Sequence, residues 1–83
     1  MYLVFVPNQC RKFIKTLPEK YRNLAIQSLT ELKFDPFLGA PLGRELIGRF
    51  SYRFGVYRIV YKIRKKDKVV EVLRINHRSK VYN

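Results

Sequence analysis

Apolar and polar residues follow one another along this chain in three rhythms, and each rhythm predicts a different element. Tyr2, Leu3, Val4, Phe5 and Val6 form an unbroken apolar run closed by Pro7, which predicts a short buried strand. Behind Asn8, a candidate N-cap, Cys10, Phe13, Ile14 and Leu17 fall at i, i+3, i+4 and i+7, one face of a short helix. Pro18 ends that helix and suits the first position of the next. There Tyr21, Leu24, Ala25, Ser28, Leu29 and Leu32 repeat the three-four spacing until Asp35 and Pro36 stop it.

Residues 37–48 carry Gly39, Pro41, Gly43 and Gly48 and read as an irregular connection. The rhythm then changes to a period of two. Phe50, Tyr52 and Phe54 alternate with Arg49, Ser51 and Arg53, and Gly55 permits a reversal. Tyr57, Ile59, Tyr61 and Ile63 share one face of the next strand, with Arg58 and Lys62 on the other. Residues 64–68 make a charged hairpin loop, and residues 69–75 form a last strand, apolar on both faces as a central strand is. The predicted fold is α+β: an N-terminal strand, two helices, then a three-stranded antiparallel meander, with the helices on one face of a four-stranded sheet. Ser51, Arg53, Arg58, Lys62 and Arg74 are left to the open face.

Composition sharpens this picture. The 83 residues suffice for a single domain, residues 1–83, and a 47% hydrophobic fraction is that of a folded chain. The formal net charge is +12, and residues 44–83 hold twelve Lys/Arg against three Asp/Glu. Basic charge laid on strands and interleaved with aromatics fits a polyanion, nucleic acid first and an acidic protein second. The chain shows no basic amphipathic helix suited to a membrane surface and no apolar stretch of transmembrane length. The N-terminal apolar run is too short for a signal-peptide core. Cys10 is the only cysteine, which excludes a disulfide framework, gives no zinc-ligand pattern and fits a reducing cytoplasm. No metal or other cofactor is expected.

Two strings carry the candidate chemistry: FSYRFGVYRIVY from Phe50 to Tyr61, and LRINHRSKVY from Leu73 to Tyr82. Together with Leu17-Pro18 and Asp35-Pro36 around the second helix, they resemble the RelE branch of the RelE/ParE toxin superfamily over nearly the whole chain. The resemblance implies the toxin of a type II toxin-antitoxin system, a ribosome-dependent endoribonuclease that cuts messenger RNA in the A site of the small subunit. It also implies a cytoplasmic protein silenced by a RelB-like antitoxin. Carried over by position, Arg58 stabilises charge on the scissile phosphate, and Arg78 contacts phosphate and assists the leaving oxygen. Tyr82 stacks on a base and helps activate the 2′-hydroxyl. Arg53 matches the second of two basic strand residues; Ser51 stands where the first would be, with Arg49 on the same face as a substitute. Lys62, Arg74 and His77 complete the expected RNA-binding set. Asn76 replaces a frequent Gly, and Asn tolerates left-handed backbone better than most residues.

Physical chemistry limits these roles. Arginine, with a pKa above about 12, is a poor proton carrier and a strong bidentate phosphate clamp. Acceleration would therefore come from electrostatic stabilisation and alignment, with Tyr82 made more acidic by surrounding cations. Such a site is slow on free RNA and works when the ribosome holds the strand in line. Blander readings stand beside these. Tyr57 and Tyr61 are in phase with Ile59 and Ile63 and read as core rings with hydroxyls at the rim. The loop cations read as solvated, with ribosomal RNA as a competing use, and Cys10 as a small core residue. His77 is either structural or the missing acid or base. Two rival readings remain: a ParE-like, non-nucleolytic poison of DNA gyrase on the same scaffold, and a basic RNA-binding module without catalysis.

Overall fold

A computed structural model describes residues 1–43 and 47–79 of the chain. Its elements are β1 (Leu3–Phe5), α1 (Asn8–Thr16), α2 (Glu19–Phe34), a 3-10 turn (Pro36–Leu38), β2 (Ala40–Pro41), β3 (Arg49–Phe54), β4 (Tyr57–Arg64) and β5 (Val69–His77). The sheet runs β1-β5-β4-β3-β2. β1 is parallel to β5, and every other pairing is antiparallel. The α+β class, the two helices and the meander are as the periodicities predict.

The sheet has five strands rather than four. Ala40 and Pro41 pair with Ser51 and Phe50 inside the segment that reads as irregular. Two residues give no alternation to detect, and a proline is tolerated there because β2 is an edge strand. The helix starts also differ by one position from the expectation. α1 has Pro7 rather than Asn8 at its N-cap, where the Pro7 carbonyl accepts from the amides of Cys10 and Arg11, both at 3.0 Å. Pro18 likewise caps α2 rather than opening it. The Asp35 side chain accepts from the Phe37 amide at 3.1 Å, turning the end of α2 into the 3-10 turn.

Both helices cover one face. Cys10, Leu17, Ala25 and Leu32 meet Phe54, Ile59, Tyr61, Val70, Val72 and Ile75 to form the core. At about 25 cal/mol per Å² of apolar area, this contact is what holds the helices to the sheet. Tyr61 is fully buried, hydroxyl included, which corrects the expectation of a rim hydroxyl. That hydroxyl donates to the Pro36 carbonyl at 2.7 Å and accepts from the Gly39 amide at 3.1 Å. It thereby anchors the strip of chain that leads into β2. A Cβ on Gly39 would sit 2.5 Å from the Tyr61 oxygen, so glycine is required by proximity.

β5 departs from simple alternation in a way that matters for the site. Tyr61 pairs with Val72 but Val60 pairs with Arg74, so Leu73 is an extra residue on β5. This β-bulge switches the parity of everything after it. Val70 and Val72 face the helices before the bulge and Ile75 after it, and Arg74 moves to the open face opposite Val60. Much of the two-sided apolar look of β5 in the sequence is this switch.

Candidate functional site

The open face is ordered by register into three cross-strand rows. Arg53 stands opposite Arg58, and Arg58 opposite Asn76. Ser51, Val60 and Arg74 make the middle row, and Arg49, Lys62 and Glu71 the third. Ser51 and Val60 are buried, at 6% and 5% exposure, so they floor the face while the cations stand around them. The Ser51 hydroxyl has no hydrogen-bond partner among the described residues.

Charge is unevenly spread along this face. Glu71 occupies the row farthest from the β3–β4 turn, where the Arg64 guanidinium reaches its carboxylate at 2.8 Å. The opposite end, with Arg53, Arg58 and Asn76, carries no carboxylate among the described residues. Opposed residues on paired antiparallel strands have Cα atoms about 4.5–5.5 Å apart, so Arg53 and Arg58 form a compact cationic pair. Like charges in that position destabilise a sheet, which makes their pairing informative about function.

Two local devices fix this end. Gly55 has φ +58°, and Val56 is not among the positive-φ residues, the pattern of a two-residue II′ reversal with glycine first. Beyond β5, the Arg78 amide donates to the Val56 carbonyl at 2.8 Å, tying the backbone of the exposed Arg78 to the same turn. Arg78 thus follows Asn76 by two residues, with its backbone held at the β3–β4 turn.

His77 is placed differently. It pairs with Tyr57, whose ring is on the helix side among Phe13, Tyr21 and Phe54. The His77 and Tyr57 rings meet edge-on at 5.8 Å, and Nδ1 lies 3.0 Å from the Ser79 hydroxyl. The register therefore sets His77 on the face opposite Arg53 and Arg58. Asn76 continues the strand, and Lys68 is the one non-glycine residue with positive φ among those described, so Asn76 makes no left-handed turn. Its place opposite Arg58 was the feature sequence reasoning missed, because the bulge hides the register. Tyr82 lies outside the described residues. Among the described residues no cluster of His, Cys, Asp or Glu could hold a metal, and no helix is long and apolar enough to cross a membrane.

The domain is α+β, with two helices on one face of a mostly antiparallel sheet and a cationic row on the other. The family model described as "ParE toxin of type II toxin-antitoxin system, parDE" matches residues 4–82. The chain belongs to that family, within the RelE/ParE superfamily, and is the toxin of a type II toxin-antitoxin system. It is 34% identical to Toxin RelG of Mycobacterium tuberculosis, over 98% of this chain and 95% of that protein. Among solved structures it resembles the toxin-antitoxin complex RelBE2 of the same organism, with TM-score 0.82 and 33% identity over 92% of this chain and 96% of that one. The isolated Escherichia coli RelE toxin shares the fold, with TM-score 0.78 and 23% identity over 99% of this chain and 92% of that one.

Proposed function

We propose that this toxin is a ribosome-dependent endoribonuclease that cuts messenger RNA in the A site. The 2′-hydroxyl loses its proton and attacks the adjacent phosphorus, the bond from phosphorus to the 5′-oxygen breaks, and that oxygen takes up a proton. Arg58, supported by Arg53, clamps the phosphate as its charge rises. Arg78 contacts the phosphate and assists the leaving oxygen. Tyr82 stacks on a base and helps accept the 2′-hydroxyl proton. Arg49, Lys62 and Arg74 hold the flanking backbone.

The single observation that carries this reading is the Arg53–Arg58 cross-strand pair, at the end of the open face where none of the described residues is a carboxylate. A fold needing only stability gains nothing from opposed arginines, whereas a doubly charged phosphorane gains a bidentate clamp. The kinship with a RelE-type toxin supports the same reading. By the same kinship, and by likeness to the toxin of the RelBE2 toxin-antitoxin complex, the chain is silenced by an acidic RelB-like antitoxin that fills the basic face or displaces the segment around Tyr82. Its place of action is then the cytoplasm, where ribosomes are.

Primer extension on messenger RNA bound to purified ribosomes tests the proposal. Wild-type protein should produce discrete A-site cuts, and Arg58→Ala or Arg78→Ala should abolish them while antitoxin binding persists. Both variants cutting like wild type would refute it. The ParE name of the matched family favours one alternative, a gyrase poison acting by protein contact. In cells that alternative gives a DNA damage response with intact messenger RNA instead of translation arrest.

A further inference from the structure

β1 pairs with β5 only from Val69 to Glu71, opposite Leu3 to Phe5. Beyond Glu71, β5 has β4 on one side and, among the described residues, no strand on the other. α1 lies along that free edge, and between them is a cleft of about 340 Å³. Its lining includes Gln9, Cys10, Phe13, Arg74, Ile75 and Asn76. The volume is at the lower end of ligand pockets, about 300–1,000 Å³, and suits one flat ring system better than an extended peptide.

We propose that this cleft is a nucleobase pocket, holding one base of the RNA strand whose phosphate sits on Arg53 and Arg58. The inference rests on the function proposed above and adds a determinant of sequence preference to it. The lining has the composition a base needs. Gln9 and Asn76 each carry an amide donor and an amide acceptor, the groups that read a base edge. The Phe13 ring, fixed edge-on against Tyr57 at 5.9 Å, gives an aromatic wall. Cys10 and Ile75 make an apolar floor, where the Ile75 amide donates to the Cys10 sulfur and burial raises the thiol's pKa, keeping it neutral. No carboxylate lines the cleft among the described residues.

Position argues the same way. Asn76 stands opposite Arg58 and Arg74 opposite Val60, so two lining residues belong to both the cleft and the cationic face. A strand clamped at Arg58 would turn its neighbouring base over the lip of β5 into the cleft. The Leu73 bulge makes this continuity, because without it Arg74 would lie on the helix side.

The test is an amide-resonance titration of the purified toxin with each of the four nucleoside 5′-monophosphates, and with ribose 5-phosphate at equal ionic strength. The expected result is movement of the Gln9, Leu73 and Asn76 amides with one or two of the nucleotides and not with ribose 5-phosphate. Gln9→Ala, at an exposed position, should weaken the tightest nucleotide by roughly 3- to 10-fold, one hydrogen bond's worth. The pocket is refuted if the cleft ignores all four nucleotides, responds equally to ribose 5-phosphate, or binds as well in Gln9→Ala. Neither ribosome nor cleavage enters the measurement, so a silent cleft leaves the nuclease reading standing. Loss of that reading through active Arg58 and Arg78 variants would be seen separately.

Discussion

Arg53 and Arg58 oppose each other across β3 and β4, two steps from a reversal that brings their strands together at Gly55. Two guanidinium groups in one cross-strand position repel. Both side chains are partly solvated, so the cost is a few tenths of a kcal/mol to about 1 kcal/mol and shrinks with salt. Arg53→Gln should therefore raise the urea midpoint slightly at low ionic strength, an advantage fading by about 0.5 M salt as screening tightens. The same substitution should reduce cleavage of ribosome-bound messenger RNA. A variant less stable than wild type at low salt would show that the pair is relieved by its surroundings.

The open face also makes a quantitative claim about salt. Arg49, Arg53, Arg58, Lys62 and Arg74 are its five register-defined cations. For single strands each neutralised phosphate contributes about −0.7 to the slope of log K against log salt, so full engagement gives a slope near about −3.5. Lys62→Ala should reduce the magnitude by about 0.7 and weaken all sequences alike. Fluorescence anisotropy with short oligoribonucleotides at several salt concentrations measures both. A slope near zero would remove the face from RNA binding.

Periodicity makes the helix stripe, the bounds of β3 and the inward facing of Tyr57, Ile59 and Tyr61 legible in the sequence. Each is a repeat long enough to count. The features that escaped are single-residue events. The Leu73 bulge leaves no mark in composition, yet it decides that Arg74 joins Arg58 and that His77 lies across the sheet beside Tyr57. β2 is too short to alternate, and the buried Tyr61 hydroxyl finds its partners in the backbone of the 3-10 turn, which sequence spacing does not reveal. The candidate site is readable in the sequence by chemical type and not by register.

Gly55 sets the geometry of the cationic end. Its φ of +58° strains any L side chain, and an added Cβ would lie 2.8 Å from Cε1 of Tyr21. Tyr21 cannot easily retreat, because its ring meets that of Tyr57 edge-on at 5.4 Å. Gly55→Ala should cost about 1–3 kcal/mol of unfolding free energy, read from urea melts, and displace the Arg53–Arg58 pair. A neutral Gly55→Ala would mean that the turn relaxes without disturbing the tyrosine cluster.

Tyr61 offers a test that is independent of function. Burial first, tempered by the Gly39 amide, pushes its pKa from 10.0 up to about 12. Between those values the folded state keeps a proton that the unfolded state releases, so raising the pH favours unfolding. The stabilisation is complete below about pH 10 and is lost as pH rises towards 12. Tyr61→Phe removes the hydroxyl and leaves the Pro36 carbonyl and the Gly39 amide unpartnered in the interior, a cost of about 1–3 kcal/mol at neutral pH. The gap in unfolding free energy between wild type and Tyr61→Phe should therefore stay constant to about pH 10 and narrow above it. Urea melts at pH 7, 9, 10.5 and 11.5 would measure that gap. If it stays constant through pH 11.5, the Tyr61 proton is not held by the fold, and the anchor between β4 and the turn before β2 is weaker than its distances imply.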